Sequence, residues 1–64
     1  MRPVIIVSAQ YSRQVEEMVR PMCEKIMSRG DQTFIFPLPG YLLTIIQHLT
    51  SNQIQYEIDH TGPD

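Results

Sequence analysis

The stretch Pro3-Val4-Ile5-Ile6-Val7-Ser8 is the segment from which we derive the fold. Its β-branched residues favour a strand, and no polar residue alternates with them, so both faces of that strand should be covered. Pro3 stands at the start, where a missing backbone N–H is tolerated. The pattern predicts a central strand in a sheet that carries helices.

A long amphipathic helix is predicted next, from about residue 12 to residue 29, with Ser12 as its N-cap. Apolar residues recur at helical spacing along it: Val15, Met18, Val19, Met22, Ile26 and Met27. Pro21 interrupts the pattern, so we expect a kink there, or a break with a second helical segment starting at Pro21. Gly30 should end the helix in the left-handed conformation.

The second half predicts one more helix between two strands. Residues 32–36 are typical of a strand, which the Pro37-Leu38-Pro39-Gly40 turn ends. Apolar residues at helical spacing predict a helix over residues 41–50, and strict alternation predicts a half-buried strand over residues 54–59.

The element order is therefore β-α-β-α-β in one α/β domain spanning residues 1–64, with a single-layer sheet of three strands and two helices. Alternating strands and helices favour parallel pairing, although antiparallel pairing of some strands stays open, as does the strand order. The first strand should lie centrally and the third at an edge. Residues 60–64, which include Gly62-Pro63, should form a frayed tail.

Chain length and cysteine count limit how the domain is stabilised. A chain of 64 residues lies near the lower limit of independent folding. Cys23 is the one cysteine, so no intramolecular disulfide forms, and its separation from His48 and His60 fits no metal-ligand spacing. We expect no metal and no cofactor, and stability that comes from the core, from homo-oligomer formation or from a protein partner.

Localisation is expected to be cytoplasmic and the protein soluble. No apolar run approaches the ~20 residues that span a bilayer. The first residues lack the apolar region and cleavage site of a signal peptide, and no membrane association is expected.

Charge is unevenly distributed along the chain. All five basic residues precede Gly30, whereas from Asp31 onward the charged residues are acidic. This layout argues against duplex DNA as the main partner and favours a protein. In the alternative hypothesis, a nucleic acid binds the basic residues of the first helix, which are Arg13, Arg20, Lys25 and Arg29.

Motifs for enzymatic chemistry are not found, and we expect no catalytic residues. No glycine precedes Gly30, which excludes a glycine-rich phosphate loop after the first strand. Ser8 and Ser12 are interpreted as capping residues in preference to an anion site. Cys23 is interpreted as a small core residue, and His48 as a partly exposed boundary residue.

Glu57 and Asp59 alternate on the outward face of the third strand, roughly 6–7 Å apart. Such a pair can serve acid–base chemistry or bind a cation. It can also keep an edge strand from pairing with other chains, which is the interpretation we prefer.

The apolar, proline-rich segment from Phe34 to Tyr41 exceeds what so small a domain needs for its core. It either lies under the helices or forms a partner site, and both interpretations stay open. We predict a protein interface with polar residues at its rim, made of Phe34, Phe36, Leu38, Tyr41, Glu57 and Asp59. The predicted function is a small non-catalytic protein-binding module that regulates or inhibits a larger protein, as many polypeptides of phages and mobile elements do.

A family resemblance covers residues 34–59. The Phe34-Ile35-Phe36-Pro37-Leu38-Pro39-Gly40-Tyr41-Leu42-Leu43 segment, followed by Ile54-Gln55-Tyr56-Glu57-Ile58-Asp59, resembles the small N-terminal domain of phage and archaeal superfamily-two helicases. In that family the domain is thought to contact DNA. The chain carries no helicase motor, and its expected long first helix departs from the family pattern. The resemblance implies a freestanding accessory or decoy domain.

Overall fold

A computed structural model describes residues 2–61 of the chain. Four strands and two α-helices occur in this part. In chain order they are β1 (Arg2–Ser8), α1 (Ser12–Val19), β2 (Cys23–Arg29), β3 (Gln32–Pro37), α2 (Leu42–Ser51) and β4 (Tyr56–Thr61). Short 3-10 turns, Ala9–Tyr11 and Arg20–Met22, flank α1.

The strands form one sheet in the order β2-β3-β1-β4, in which all neighbours pair antiparallel. The α/β class and the two helices agree with the sequence prediction. The interior position of β1 agrees as well. The predicted three strands, the β-α-β-α-β order and the favoured parallel pairing are wrong, because the observed order is β-α-β-β-α-β. This is the split βαβ arrangement of ferredoxin-like domains.

The discrepancy arises in residues 20–29, which were predicted to be helical. Residues 20–22 form a 3-10 turn instead, and residues 23–29 form a strand. Helix α1 ends at Val19, and Pro21 lies in the 3-10 turn that follows. The break at Pro21 is confirmed, but the segment after it is β2. Gly30 does adopt a positive φ of 63°, in the β2–β3 turn and not at a helix end. This hairpin pairs Ile26 with Ile35, so apolar residues spaced for a helix pack in a strand.

The core lies between the helices and one face of the sheet. Val15 and Val19 of α1 and Ile45 and Leu49 of α2 are buried against this face. The sheet contributes Ile5, Val7 and Ile35, whose side chains alternate with those of the opposite face. Both helices therefore cover the same side of the sheet.

Helix α2 ends in a Schellman motif that leads the chain back towards the sheet. The N–H of Ile54 donates to the carbonyl of Leu49 at 2.9 Å, and the N–H of Gln53 donates to the carbonyl of Thr50 at 3.0 Å. Gln53 occupies the left-handed position with a φ of 59°. Ile54 and Leu49 are both buried, which is the apolar contact that accompanies this motif.

Strand β4 begins at Tyr56, two residues later than predicted. Ile54 is buried as expected, but Tyr56 and Ile58 are 37% and 39% exposed, so the predicted buried face of this strand is wrong. β4 is an edge strand, and Tyr56 and Ile58 are more exposed than their partners Val7 and Ile5 on β1. His60 and Thr61 continue the strand, and the rest of the predicted frayed tail, residues 62–64, lies outside the described residues.

Candidate functional site

One face of the sheet carries no helix in the described part of the chain. Its residues follow from the register: Ile6 pairs with Phe34 and Glu57, and Phe34 pairs with Met27. A neighbouring row pairs Lys25 with Phe36 and Val4 with Asp59. We call this surface the open face and define it by these residues together with Arg29: Val4, Ile6, Lys25, Met27, Arg29, Phe34, Phe36, Glu57 and Asp59.

The centre of the open face is apolar. Val4 is buried, whereas Ile6, Phe34 and Phe36 are half-buried, and Met27 is 45% exposed. A solvated face of an antiparallel sheet normally shows polar residues at alternate positions. Here the two central strands carry aliphatic and aromatic side chains on both faces.

Opposite charges lie at the two edges of the open face. Lys25 and Arg29 belong to β2 at one edge, and Glu57 and Asp59 belong to β4 at the other. The Nζ atom of Lys25 lies 4.8 Å from the centre of the Phe36 ring, so a cation contacts the apolar centre directly. Glu24 lies at the irregular start of β2 and, together with Phe36, lines a small cleft that adjoins the open face.

A small cleft of about 260 Å³ adjoins the open face where β3 leads towards α2. Phe36, Leu38 and Pro39 are among the residues that line it. The N–H of Leu38 donates to the carbonyl of Met22 at 3.0 Å, which ties this loop to the turn before β2. Tyr41 is 44% exposed but does not line the cleft.

Four of the six predicted interface residues therefore share one surface, and a fifth adjoins it. Phe34, Phe36, Glu57 and Asp59 lie on the open face, and Leu38 lines the adjoining cleft. Tyr41 precedes α2. The segment from Phe34 to Tyr41 is neither entirely buried nor entirely exposed. Ile35 is fully buried in the core, whereas its neighbours Phe34 and Phe36 lie half-buried on the open face.

Sequence reasoning missed Val4, Ile6 and Met27 as members of the open face. Val4 and Ile6 belong to a strand expected to be covered on both faces, and Met27 was assigned to the apolar side of a helix. The missed signal is the Gly30-Asp31 turn between two apolar stretches, which is typical of a β-hairpin.

The four basic residues of the nucleic-acid hypothesis do not form one surface. Arg13 and Arg20 belong to α1 and the turn after it, on the helical side of the sheet, and Arg20 pairs with Glu16 at 3.6 Å. Lys25 and Arg29 lie on β2 at the edge of the open face. The predicted location of all four on one helix is wrong, because that helix ends before Lys25.

A second, polar groove of about 930 Å³ lies at the other end of the sheet. It is lined by the end of β1, the β2–β3 turn and the segment between α2 and β4. Ser8, Gln10 and Gln53 are among its residues, all of them exposed. This groove is wide open to solvent.

The remaining residues considered for chemistry have structural surroundings. Cys23 is buried and its Sγ donates to the carbonyl of Val19 at 3.0 Å. Burial raises the pKa of the Cys23 thiol, and the nearby charge of Arg20 opposes that rise. His48 is half-buried on α2, as expected for a boundary residue.

The two serines expected to cap helices behave differently from one another. Ser8 caps the 3-10 turn by accepting from the N–H of Gln10 at 3.4 Å. Ser12 is the first residue of α1 and not its N-cap; Tyr11 occupies that position without a side-chain hydrogen bond. The predicted capping role is thus confirmed for Ser8 and wrong for Ser12.

Within residues 2–61, no three His, Cys, Asp or Glu side chains lie together so that they could hold a metal ion. Neither α1 nor α2 is long and apolar enough to cross a membrane.

Comparison with protein-family models, with curated proteins and with solved structures finds no match to this chain. The resemblance of residues 34–59 to a helicase N-terminal domain stays a prediction.

Proposed function

We propose that this chain is a non-catalytic protein-binding module that regulates or inhibits a larger protein by placing its open face on that protein. The observation that carries the proposal is the open face itself, with an apolar centre between a basic and an acidic edge. The proposal concerns binding and assigns no reaction.

The composition of the open face supports a partner of protein type. Apolar surface that a small domain leaves uncovered often marks an interaction site. Interfaces commonly combine an aromatic or aliphatic centre with a polar rim, and a few central aromatic residues carry most of the binding energy. Phe34 and Phe36 occupy the central position, and Glu57 and Asp59 occupy the rim.

The way the open face is built also favours a protein over a small ligand. The face spans the four strands of one sheet, so a protein partner can cover all of its rows at once, whereas small molecules bind in concave sites. The cleft beside Phe36 and Leu38 would then receive one side chain at the margin of the contact.

The experiment is capture of host proteins on the immobilised chain, with and without nuclease, followed by mass spectrometry. The test variant is Phe34→Ser/Phe36→Ser, and the matched control is Leu43→Ser. Leu43 is 71% exposed on α2, so this control removes an exposed apolar side chain from the helical side. Circular dichroism establishes that each variant is folded.

We expect a partner that the wild type and the Leu43→Ser variant retain and that the double serine variant loses. A second variant, Glu57→Lys/Asp59→Lys, leaves the aromatic residues in place and should also weaken capture. Retention of the partner by both open-face variants would contradict the proposal. Loss on Leu43→Ser alone would move the contact to the helical side.

A single-stranded nucleic acid is the second candidate, favoured by one observation. Phe34 and Phe36 alternate on the exposed face of a four-stranded sheet, and RNA-recognition modules stack bases on aromatic residues in such a place. Lys25 and Arg29 would contact phosphates. Glu57 and Asp59 on the same face oppose it electrostatically, which is why we rank it second.

The salt dependence of binding separates the two candidates. A labelled oligonucleotide should bind with an affinity that falls steeply as salt rises if phosphate contacts contribute. Fluorescence anisotropy with and without Lys25→Gln/Arg29→Gln measures this. If no binding of the oligonucleotide is detected at low salt, the nucleic-acid candidate is discarded.

A further inference from the structure

We infer that a second copy of this chain covers the open face when no larger partner is bound, in a two-fold dimer that sets β2 of each copy over β4 of the other. This inference rests on the proposed function, because it names one occupant of the same surface. Charge complementarity within the open face is the argument that carries it.

Two copies that stack face to face are related by a two-fold axis lying between the two sheets. If that axis runs parallel to the strands, the strand order of one copy is reversed over the other. The order β2-β3-β1-β4 then places β2 over β4 and β3 over β1. If the axis runs across the strands, each strand lies over its own copy.

The charges distinguish these two arrangements. With the axis parallel to the strands, the basic edge, which carries Lys25 and Arg29, lies over the acidic edge of the second copy, which carries Glu57 and Asp59. With the axis across the strands, the basic edge meets the basic edge and the acidic edge meets the acidic edge. Like charges placed together across an interface repel one another and disfavour the complex, so the first arrangement is selected.

The rows of the open face also match in the selected arrangement. An axis parallel to the strands keeps each row at the same height, so each row lies over the same row of the second copy with its residue order reversed. This holds for the row made of Lys25, Phe36, Val4 and Asp59. Lys25 therefore meets Asp59 of the second copy, and Phe36 meets Val4. In the next row, Phe34 meets Ile6 of the second copy, and Glu57 of the second copy lies over Met27, one row from Arg29.

The open face is small for a protein interface. Four strands spaced by ~4.8 Å, each contributing about six residues, give a face of roughly 20 Å by 20 Å. The area of this face, about 400 Å², is smaller than the ~800 Å² that each partner contributes to a standard interface. We expect a dissociation constant on the order of 10–100 µM, weak enough for a larger partner to compete.

Charge reversal provides the test, measured by sedimentation equilibrium of the 64-residue chain from 10 µM to 1 mM. The variants Lys25→Glu/Arg29→Glu and Glu57→Lys/Asp59→Lys make both edges acidic or both edges basic. Each alone should raise the dimer dissociation constant by about a hundredfold or more. An equimolar mixture of the two should restore dimers, as should the chain with all four reversals, which also establishes that the reversed side chains permit folding.

Cross-linking with a bifunctional thiol reagent tests the orientation of the two copies; the reagent spans about 10 Å, because stacked sheets lie too far apart for a direct disulfide. Lys25→Cys in one chain and Asp59→Cys in another should be joined to each other by the reagent, and faster than Lys25→Cys is joined to itself. The reverse preference would overturn the arrangement.

Three further results would overturn the inference. They are a wild type that stays monomeric at 1 mM, a dimer indifferent to charge reversal, and a mixture of the two edge variants that stays monomeric. A monomeric wild type that still captures a larger partner through Phe34 and Phe36 would leave the proposed function standing. A dimer whose open-face variants keep their larger partner would contradict the proposed function and leave the dimer standing.

Discussion

The Nζ atom of Lys25 lies 4.8 Å from the centre of the Phe36 ring, and the two residues are cross-strand partners on β2 and β3. The contact links the basic edge of the open face to its apolar centre. It also shields one side of an aromatic ring that no helix covers.

The first prediction concerns this contact. Replacing Lys25 by Ala should lower the free energy of unfolding by about 0.5–1 kcal/mol, because an exposed cation–π pair contributes that much. Lys25→Arg keeps a cation over the ring and serves as the control, with little expected change. Urea unfolding followed by circular dichroism measures both. If Lys25→Arg lowered the free energy of unfolding as much as Lys25→Ala does, a cation placed over the Phe36 ring would not be the source of the stabilisation.

The second prediction separates the two faces of β3. Ile35→Ala removes a fully buried side chain from the core and should cost about 2–5 kcal/mol, a large part of the stability of so small a domain. Phe34 lies one residue away, on the open face. Phe34→Ala should therefore lower the free energy of unfolding by distinctly less than Ile35→Ala, although the side chain removed is larger. Urea unfolding at a protein concentration of a few micromolar keeps self-association out of the comparison. Equal costs would contradict the assignment of Phe34 to an uncovered face.

The third prediction concerns the end of α2. Gln53 holds a φ of 59° at the left-handed position of the Schellman motif, where a residue with a Cβ atom is strained. Gln53→Gly should therefore raise the free energy of unfolding by about 0.5–1 kcal/mol, since the relieved strain exceeds the added backbone entropy of glycine. Gln53→Ala, which keeps the Cβ atom, is the control and should show no gain. A loss of stability in the glycine variant would argue against the motif.

The fourth prediction is a dependence of stability on pH through Cys23. Burial raises the pKa of this thiol in the folded state. Below the pKa of an unfolded thiol, about 8.5, both states keep the proton and stability is unaffected. As pH rises beyond that value the unfolded state loses its proton first, so the folded state becomes relatively less stable until the folded pKa is passed.

The measurement is the urea midpoint of wild type and Cys23→Ala between pH 7 and pH 10. Other groups titrate in this range in both proteins, so the difference between the two curves isolates the thiol. We expect the wild type to lose stability more steeply than the alanine variant. Parallel curves would contradict a raised pKa.

The predictability of the fold differs from one element to another. Strands β1 and β3 were predictable from their β-branched and aromatic residues and helix α2 from apolar residues at helical spacing, and each has a proline or glycine beside it. Strand β2 was not, because Met22 and Ile26 are four residues apart, as on a helix, yet Ile26 becomes the partner of Ile35 in a hairpin. Pairing with β3 across the Gly30 turn outweighed a helical pattern that Pro21 had already interrupted.

The candidate site was predictable only as far as its strands were. Phe34, Phe36, Glu57 and Asp59 could be singled out from the local pattern of apolar and charged residues. That these residues share one face depends on the antiparallel register of β1 with β3 and β4, which joins residues far apart in the chain. The basic edge could not be foreseen while Lys25 was assigned to a helix.

The most direct test of the central claim, that a second copy of the chain covers the open face when no larger partner is bound, is the chemical shift of side-chain methyl groups during dilution of the wild-type chain from 1 mM to 10 µM. The methyl signals of Val4, Ile6 and Met27 should shift together along one binding curve, while those of Leu43 on the helical side stay constant. Constant signals for the three open-face residues at every concentration, or a shift at Leu43 in their place, would contradict the claim.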